Sequence, residues 1–332
     1  MEKKMMKVLE LDPNGICNAK CWYCPVAYGG NPIIGKKNMD IDVLVNVLDQ
    51  LDKGRGDFVD PKFDTVINAH YNEVLLYPDF EKMIKAYEKY KLKTILFSNG
   101  TTLNKDKIDF IKKYPHVVKV ITLNIPSAFP DQWAQYTGFN VKMFNKLIEN
   151  LQYAEEEFFK NNMSFGIQVN GVQEDSLFEN GGGVKLLRLA PHLDYDRNTG
   201  DVAKSLIEFK RLFPRSSVFS DIHLNDRSGK LEENDILTNF DIIKIQADNF
   251  NKKVVGCAGG EDFGPSRSEE WLHMNANGDI ILCCHDYDFK TAYINIKDRS
   301  IKDIWEGQER QEMIKNSYSD FCRKCKYAIW EE

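Results

Sequence analysis

Eight cysteines fall into two sets, and nothing else in the chain narrows its fold and chemistry as far. Three lie in Cys17-Asn-Ala-Lys-Cys21-Trp-Tyr-Cys24. More than 230 residues without a cysteine follow, and then come Cys257, the adjacent Cys283 and Cys284, and Cys322-Arg-Lys-Cys325. The C-x3-C-x2-C spacing is compact enough for one loop to turn three thiols toward a single centre. Structural zinc wants a fourth ligand, and the nearest histidine is the distant His70. An iron–sulfur cubane binds its irons individually, so three thiolates suit a cluster with one iron left open for chemistry. Disulfides are not expected: no apolar run approaches the ~18 residues of a membrane span, and the start carries no signal-like stretch. A cytoplasmic location keeps the thiols reduced. With 332 residues, 42% of them hydrophobic, the chain buries a core without cross-links. Its 50 acidic and 44 basic residues, net −6, argue against a dedicated binder of nucleic acid or anionic membrane.

Between the two sets, strand and helix patterns alternate. Strands are expected at Lys7–Leu11, Phe63–Asn68, Thr94–Ser98, Val117–Asn124, Ser164–Asn170 and Val218–Leu224. Helical spacing marks Met39–Leu51, Asp79–Tyr90, Lys105–Lys113, Val141–Lys160 and Val202–Phe213. Such alternation predicts an α/β fold, a parallel sheet with helices outside it, here an open partial (β/α)6 barrel. Sites in such sheets lie at the carboxyl ends of the strands. Residues 1–230 are read as this barrel, 231–254 as a connection, and 255–332 as a small domain of hairpin plus helix.

Cys17, Cys21 and Cys24, with the aromatic Tyr23 before the last, resemble the C-x3-C-x-aromatic-C signature of the radical S-adenosylmethionine (SAM) enzymes. The resemblance implies that the three thiols hold a [4Fe–4S] cluster, that the methionine end of SAM takes the open iron, and that Tyr23 packs beside the adenine. After strand two, Tyr71-Asn72-Glu73-Val74 is similar to the family's Gly-Gly-Glu-Pro stretch. Glu73 would accept from the SAM ammonium, although both glycines and the proline are replaced. Ser98-Asn99-Gly100 resembles Thr-Asn-Gly and implies contacts from Ser98 and Asn99 to ribose or carboxylate. Asn124 and Ser127 after strand four are further candidates. Ile167-Gln-Val169-Asn-Gly171-Val-Gln-Glu174 is similar to an adenine-binding stretch, which brings in Val169 and Gly171.

The later cysteines resemble a C…G-x4-C…C-x2-C layout, that of the SPASM and shorter Twitch extensions of this family. A hairpin is expected around Asn277-Gly278 and a short helix near Ile301–Trp305. The resemblance implies an auxiliary [4Fe–4S] cluster on Cys257, Cys283, Cys322 and Cys325. A zinc ribbon is the competing use of four such thiolates. In an extended segment Cys284 would face away from Cys283, as a small apolar residue or as a hydrogen-atom donor to a substrate radical.

The family chemistry implies reductive cleavage of SAM to a 5′-deoxyadenosyl radical, hydrogen abstraction, and oxidation of the substrate through the auxiliary cluster. An external electron donor such as flavodoxin or ferredoxin is implied. Epimerisation, peptide maturation and a non-enzymatic iron–sulfur or zinc protein are the alternatives. Strand one starts close to the first residue, so no separate peptide-recognition domain is expected before it, which favours a small molecule over a peptide. His70, Tyr71, Trp133, Tyr136, His223, Asp226 and Arg227 stand near strand ends and are candidates to line a pocket.

Overall fold

The computed structural model describes residues 4–26, 38–68, 72–170, 184–185, 195–221, 238–239, 249–258, 266–325 and 327–332. Six strands run parallel in chain order: β1 (Val8–Leu11), β2 (Thr65–Asn68), β3 (Lys93–Ser98), β4 (Val118–Asn124), β5 (Phe165–Asn170) and β6 (Ser217–Asp221). Helices connect them: α1 (Ile41–Lys53), α2 (Phe80–Lys89), α3 (Lys105–Ile111), α4 (Pro130–Thr137), α5 (Lys142–Lys160) and α6 (Tyr195–Leu212). This is the expected α/β core. The sheet is open among the described residues, with β6 at one edge.

Local chemistry explains the elements. In α1 the Asp40 side chain accepts from the Asp42 amide, and the inward stripe is Leu44, Val47, Leu48 and Leu51. The helix stops at Gly54, where a Cβ would sit 2.2 Å from the Phe58 ring, so no larger residue fits without moving that ring. Every residue of β1 is buried, as a strand covered on both faces requires. The helix α4 was not expected from the sequence. It begins with Pro130 at its first turn and buries Trp133, Tyr136 and Thr137.

The carboxyl-terminal part holds β7 (Val254–Cys257), the short α7 (Arg267–Glu270), β8 (Trp271–Met274), β9 (Asp279–Ile281), β10 (Ile294–Asn295), α8 (Ile301–Glu306), α9 (Gln308–Ser319) and β11 (Ala328–Trp330). Strands β8 and β9 form the expected hairpin. Its turn is the four residues Asn275 to Gly278, closed by Gly278 N–H donating to Asn275 O at 2.9 Å. Gly278 has φ +86, the left-handed conformation that admits glycine. The hairpin does not stand apart: β8 pairs in parallel with β1, so the sheet runs β10-β9-β8-β1-β2-β3-β4-β5-β6. Leu272, Met274, Ile280, Ile301, Ile304 and Trp305 join Leu9, Leu11, Leu96 and Leu123 in the main core. A second, small core gathers Val254, Leu282, Cys283 and Cys322 under Met313, Ile314, Phe321 and Trp330.

Candidate active site

The front cysteine loop leaves the carboxyl end of β1 and is strapped down on two sides. Toward β2, the Glu73 amide donates to Ile16 O at 2.8 Å and Asn14 Nδ2 donates to Glu73 O at 3.1 Å. Toward α4, Lys20 N–H donates to Thr137 O at 2.8 Å and Trp22 N–H to Tyr136 O at 3.0 Å. Trp22 is buried and meets Tyr23 and Tyr136 edge-on.

Cys17, Cys21 and Cys24 are each partly exposed. The Cys17 thiol is pushed up to about 12, by burial first and then by the charges of Glu73 and Cys24, against a hydrogen bond from the Ala19 backbone. Burial, then Cys24, drives Cys21 up as well. Three thiols that feel one another's charge in a partly dehydrated loop cannot all ionise unless cationic charge arrives with them. Soft sulfur donors with that need fit an iron–sulfur group, whose binding displaces their protons.

Glu73 is the surprise of the site. An Asn-Glu pair in a loop is ordinarily solvated, yet Glu73 is 1% exposed. Its Oε1 accepts from Ser98 Oγ at 2.8 Å and from the Leu75 amide at 3.2 Å, and its Oε2 accepts from the Asn99 amide at 2.7 Å. Burial raises its pKa, and these hydrogen bonds oppose the rise without cancelling it. The single proton of the Ser98 hydroxyl is thus committed to Glu73, and Ser98 Oγ accepts in turn from the Gly100 amide at 2.9 Å. Asn99 Nδ2 donates to Asn18 Oδ1 at 2.8 Å, tying strand three to the cysteine loop. Loops after β1, β2 and β3 therefore converge on one carboxylate beside Cys17.

Other sequence candidates have different surroundings. Ser127 donates to Gln132 Oε1 at 2.6 Å and accepts from the Phe129 amide at 3.0 Å, which shapes the start of α4. Val169 is buried in the main core. Asn124 ends β4 and is half-buried. Trp133 stacks on Phe139 at 5.3 Å within the core, and Tyr136 is buried against Trp22. These two are packing residues that hold the loop. Gly171, His70, Tyr71, His223, Asp226 and Arg227 lie outside the described residues.

In the carboxyl-terminal part, Cys257, Cys283, Cys322 and Cys325 line one small cavity together with Arg267, His285 and Tyr327. Burial and then the charges of Cys284, Cys325 and Cys322 push Cys283 up; burial, Cys325 and Cys257 do the same to Cys322. Cys284 is buried but does not line that cavity. Four thiols ranged round one cavity are soft donors that suit a multi-iron cluster. The loop after Cys283 is knotted by Asp286, which accepts from the Lys290 and Thr291 amides at 3.0 and 2.7 Å. Tyr287 in this loop is buried and lies within the field of Cys24, so one short segment reaches from the second cysteine set to the first. The sequence held no sign of that proximity.

Residues 12–179, just over half of the chain, match the model of the Radical SAM superfamily, and residues 266–326 match SPASM, an iron-sulfur cluster-binding domain. No curated protein matches. Among solved structures, BtrN in complex with AdoMet and 2-DOIA is 14% identical, with 98% of this chain and 94% of that chain covered and a TM-score of 0.55. The anSMEcpe structure with bound AdoMet is 16% identical, covering 96% and 83%, at a TM-score of 0.56. Streptococcus suis SuiB bound to precursor peptide SuiA is 13% identical over 92% of this chain, at a TM-score of 0.52, and the chain spans 65% of SuiB. At such identities the likeness is one of fold. No described helix is long and apolar enough to cross a membrane.

Proposed function

The chain belongs to the radical SAM superfamily, and from that premise we propose that it oxidises its substrate by two electrons, with one cluster at Cys17, Cys21 and Cys24 and an accepting cluster at Cys257, Cys283, Cys322 and Cys325. When bound, the family's SAM and [4Fe–4S] pair supplies a 5′-deoxyadenosyl radical that abstracts a substrate hydrogen. The chain's part is to hold SAM in register and keep water away.

Glu73 carries the reading. Its carboxylate is fixed by Ser98 and two backbone amides, close enough for its charge to act on Cys17, in a place where an ammonium would relieve its burial. Ser98 and Asn99 thus act on SAM through Glu73, while Tyr23 flanks the adenine. Asn124, Ser127, Val169 and Gly171 complete the proposed SAM contacts, with Val169 limited to its backbone because its side chain is in the core. The four thiols at the second cavity leave no iron open, which suits electron transfer. An external carrier of the flavodoxin or ferredoxin type supplies the first electron. The substrate is a small molecule or a peptide: BtrN was solved with 2-DOIA and SuiB with a precursor peptide.

Anaerobically reconstituted protein should hold about eight irons, four per cubane, and release 5′-deoxyadenosine when given SAM and dithionite. The Cys17→Ala, Cys21→Ala, Cys24→Ala triple variant should lose about half of the iron and all SAM cleavage. Cleavage surviving in that variant would defeat the assignment.

A further inference from the structure

Arg267 opens α7 and lines the cavity ringed by the four carboxyl-terminal thiols. Its Nη1 lies 2.9 Å from His285 Nε2. A guanidinium only donates, so His285 Nε2 accepts there. The rings of Tyr327 and Trp271 flank the guanidinium at 4.9 and 5.6 Å. Its Nε–H is buried with no acceptor among the described residues. Glu10, the carboxylate whose field reaches it, lies 2.9 Å from His273 Nδ1. Burial works against the cation, but the fields of Cys284, Glu10, Tyr327 and Cys283 outweigh it. This half-buried positive charge lies in the field of two cysteines and one carboxylate.

We propose that Arg267 is a positioning residue that sets the reduction potential of the auxiliary cluster, making it the better electron acceptor. The inference rests on the reading that Cys257, Cys283, Cys322 and Cys325 hold that cluster. A four-thiolate cluster gains one negative charge on reduction, so a nearby cation that cannot lose its proton stabilises the reduced form more than the oxidised one. Partial burial of Arg267 leaves the interaction less screened than it would be in bulk water. The electron comes from the carbon-centred substrate radical. That carbon becomes oxidised as the radical loses one electron to the cluster and one proton to solvent. The cluster then returns its electron to an external carrier of the flavodoxin or ferredoxin type.

The test is a redox titration followed by electron paramagnetic resonance. It uses the full chain with Cys17, Cys21 and Cys24 all changed to Ala, so that the auxiliary cluster is the sole signal. Arg267→Gln should lower the reduced-to-oxidised ratio at fixed ambient potential at least tenfold, a downward shift of about 59 mV for one electron. Arg267→Lys, which keeps the charge, should fall between Gln and Arg. Equal potentials in the three proteins overturn the proposal. Should the Gln variant fail to keep its iron, Glu10→Gln gives the opposite sign: removing a facing negative charge should raise the potential, and an unchanged value overturns the proposal. A parent chain that takes up no iron refutes the cluster assignment itself, an outcome read from iron content and not from potential.

Discussion

At the scale of single residues, Glu73 joins two costs that pull in opposite directions. Its folded pKa is raised above the ordinary 4.5, mainly by burial. The folded chain without SAM therefore holds that proton where the unfolded chain has lost it. The stability this lends is fully present below 4.5 and is lost as pH rises through the folded value. Glu73→Gln removes the ionisation. As pH rises from 4.5 through the folded value, the wild-type melting temperature without SAM should therefore fall relative to that of the variant. A gap between the two proteins that does not change with pH would refute the sign. The same substitution should weaken SAM binding by roughly 1.5–3 kcal/mol, the range for a charged hydrogen bond, as read by calorimetry. The adjacent cysteines make a second contrast at this scale. Cys283→Ala should strip iron from the auxiliary site, because one iron would lose its thiolate. Cys284→Ala, which changes a buried residue off the cavity wall, should leave iron content and turnover nearly intact. Turnover in deuterated water separates the two chemistries: carbon-bound deuterium in a product of otherwise unchanged mass indicates hydrogen donation by Cys284, and a product lighter by two hydrogens indicates oxidation.

At the scale of elements, the repeated strand and helix units and the two cysteine sets were legible because each is local: a period, a cap, a spacing. What holds the front loop in place was not. Helix α4 has only eight residues and a modest apolar stripe, so its pattern does not stand out. Trp133 and Tyr136 looked equally suited to a pocket, and the structure buries both. Glu73 was visible as a carboxylate after strand two, but its burial depends on Ser98 and Asn99 arriving from another strand, which no local pattern encodes. The departures at Tyr71, Asn72 and Val74 do not prevent that arrangement, since its hydrogen bonds come from backbone amides and one hydroxyl. If α4 is the strap for the cysteine loop, Trp133→Ala should cost about 3–5 kcal/mol of stability. In protein that remains folded, it should also lower occupancy of the front cluster while sparing the auxiliary one. Iron counts with and without the front thiols measure this, and equal loss at both sites would show that α4 only packs.

At the scale of the whole molecule, the auxiliary part and the barrel share a sheet and a core. The register Glu10 to His273 joins strands 263 positions apart in sequence, in the middle of a nine-stranded sheet. Trp305 Nε1 donates to Lys4 O at 3.0 Å, and the Ile301 amide donates to Gln50 Oε1 at 2.8 Å, so α8 is docked on α1 and on the segment that leads into β1. A hairpin recognised from a turn and a cysteine spacing carries no information about the strand it will pair with, and for that reason the join was not legible. It has a consequence for cooperativity. Ending the chain at residue 250 would uncover one edge of β1 and remove Leu272, Met274, Ile280, Ile301, Ile304 and Trp305 from the main core. A freed edge strand invites pairing with other chains, and losing several core side chains at about 2–5 kcal/mol each exceeds the 5–15 kcal/mol that typically separates folded from unfolded. The truncated chain should therefore aggregate or show no cooperative thermal transition, even though it keeps all six parallel barrel strands and the front cysteines. Trp305→Ala in the full chain gives the graded version. It should lower the melting temperature of a single transition in which near-ultraviolet signal from the barrel and iron–sulfur absorbance from the auxiliary site are lost together. Two separate transitions, with the barrel signal unmoved by the substitution, would mean that the parts fold independently despite the shared sheet.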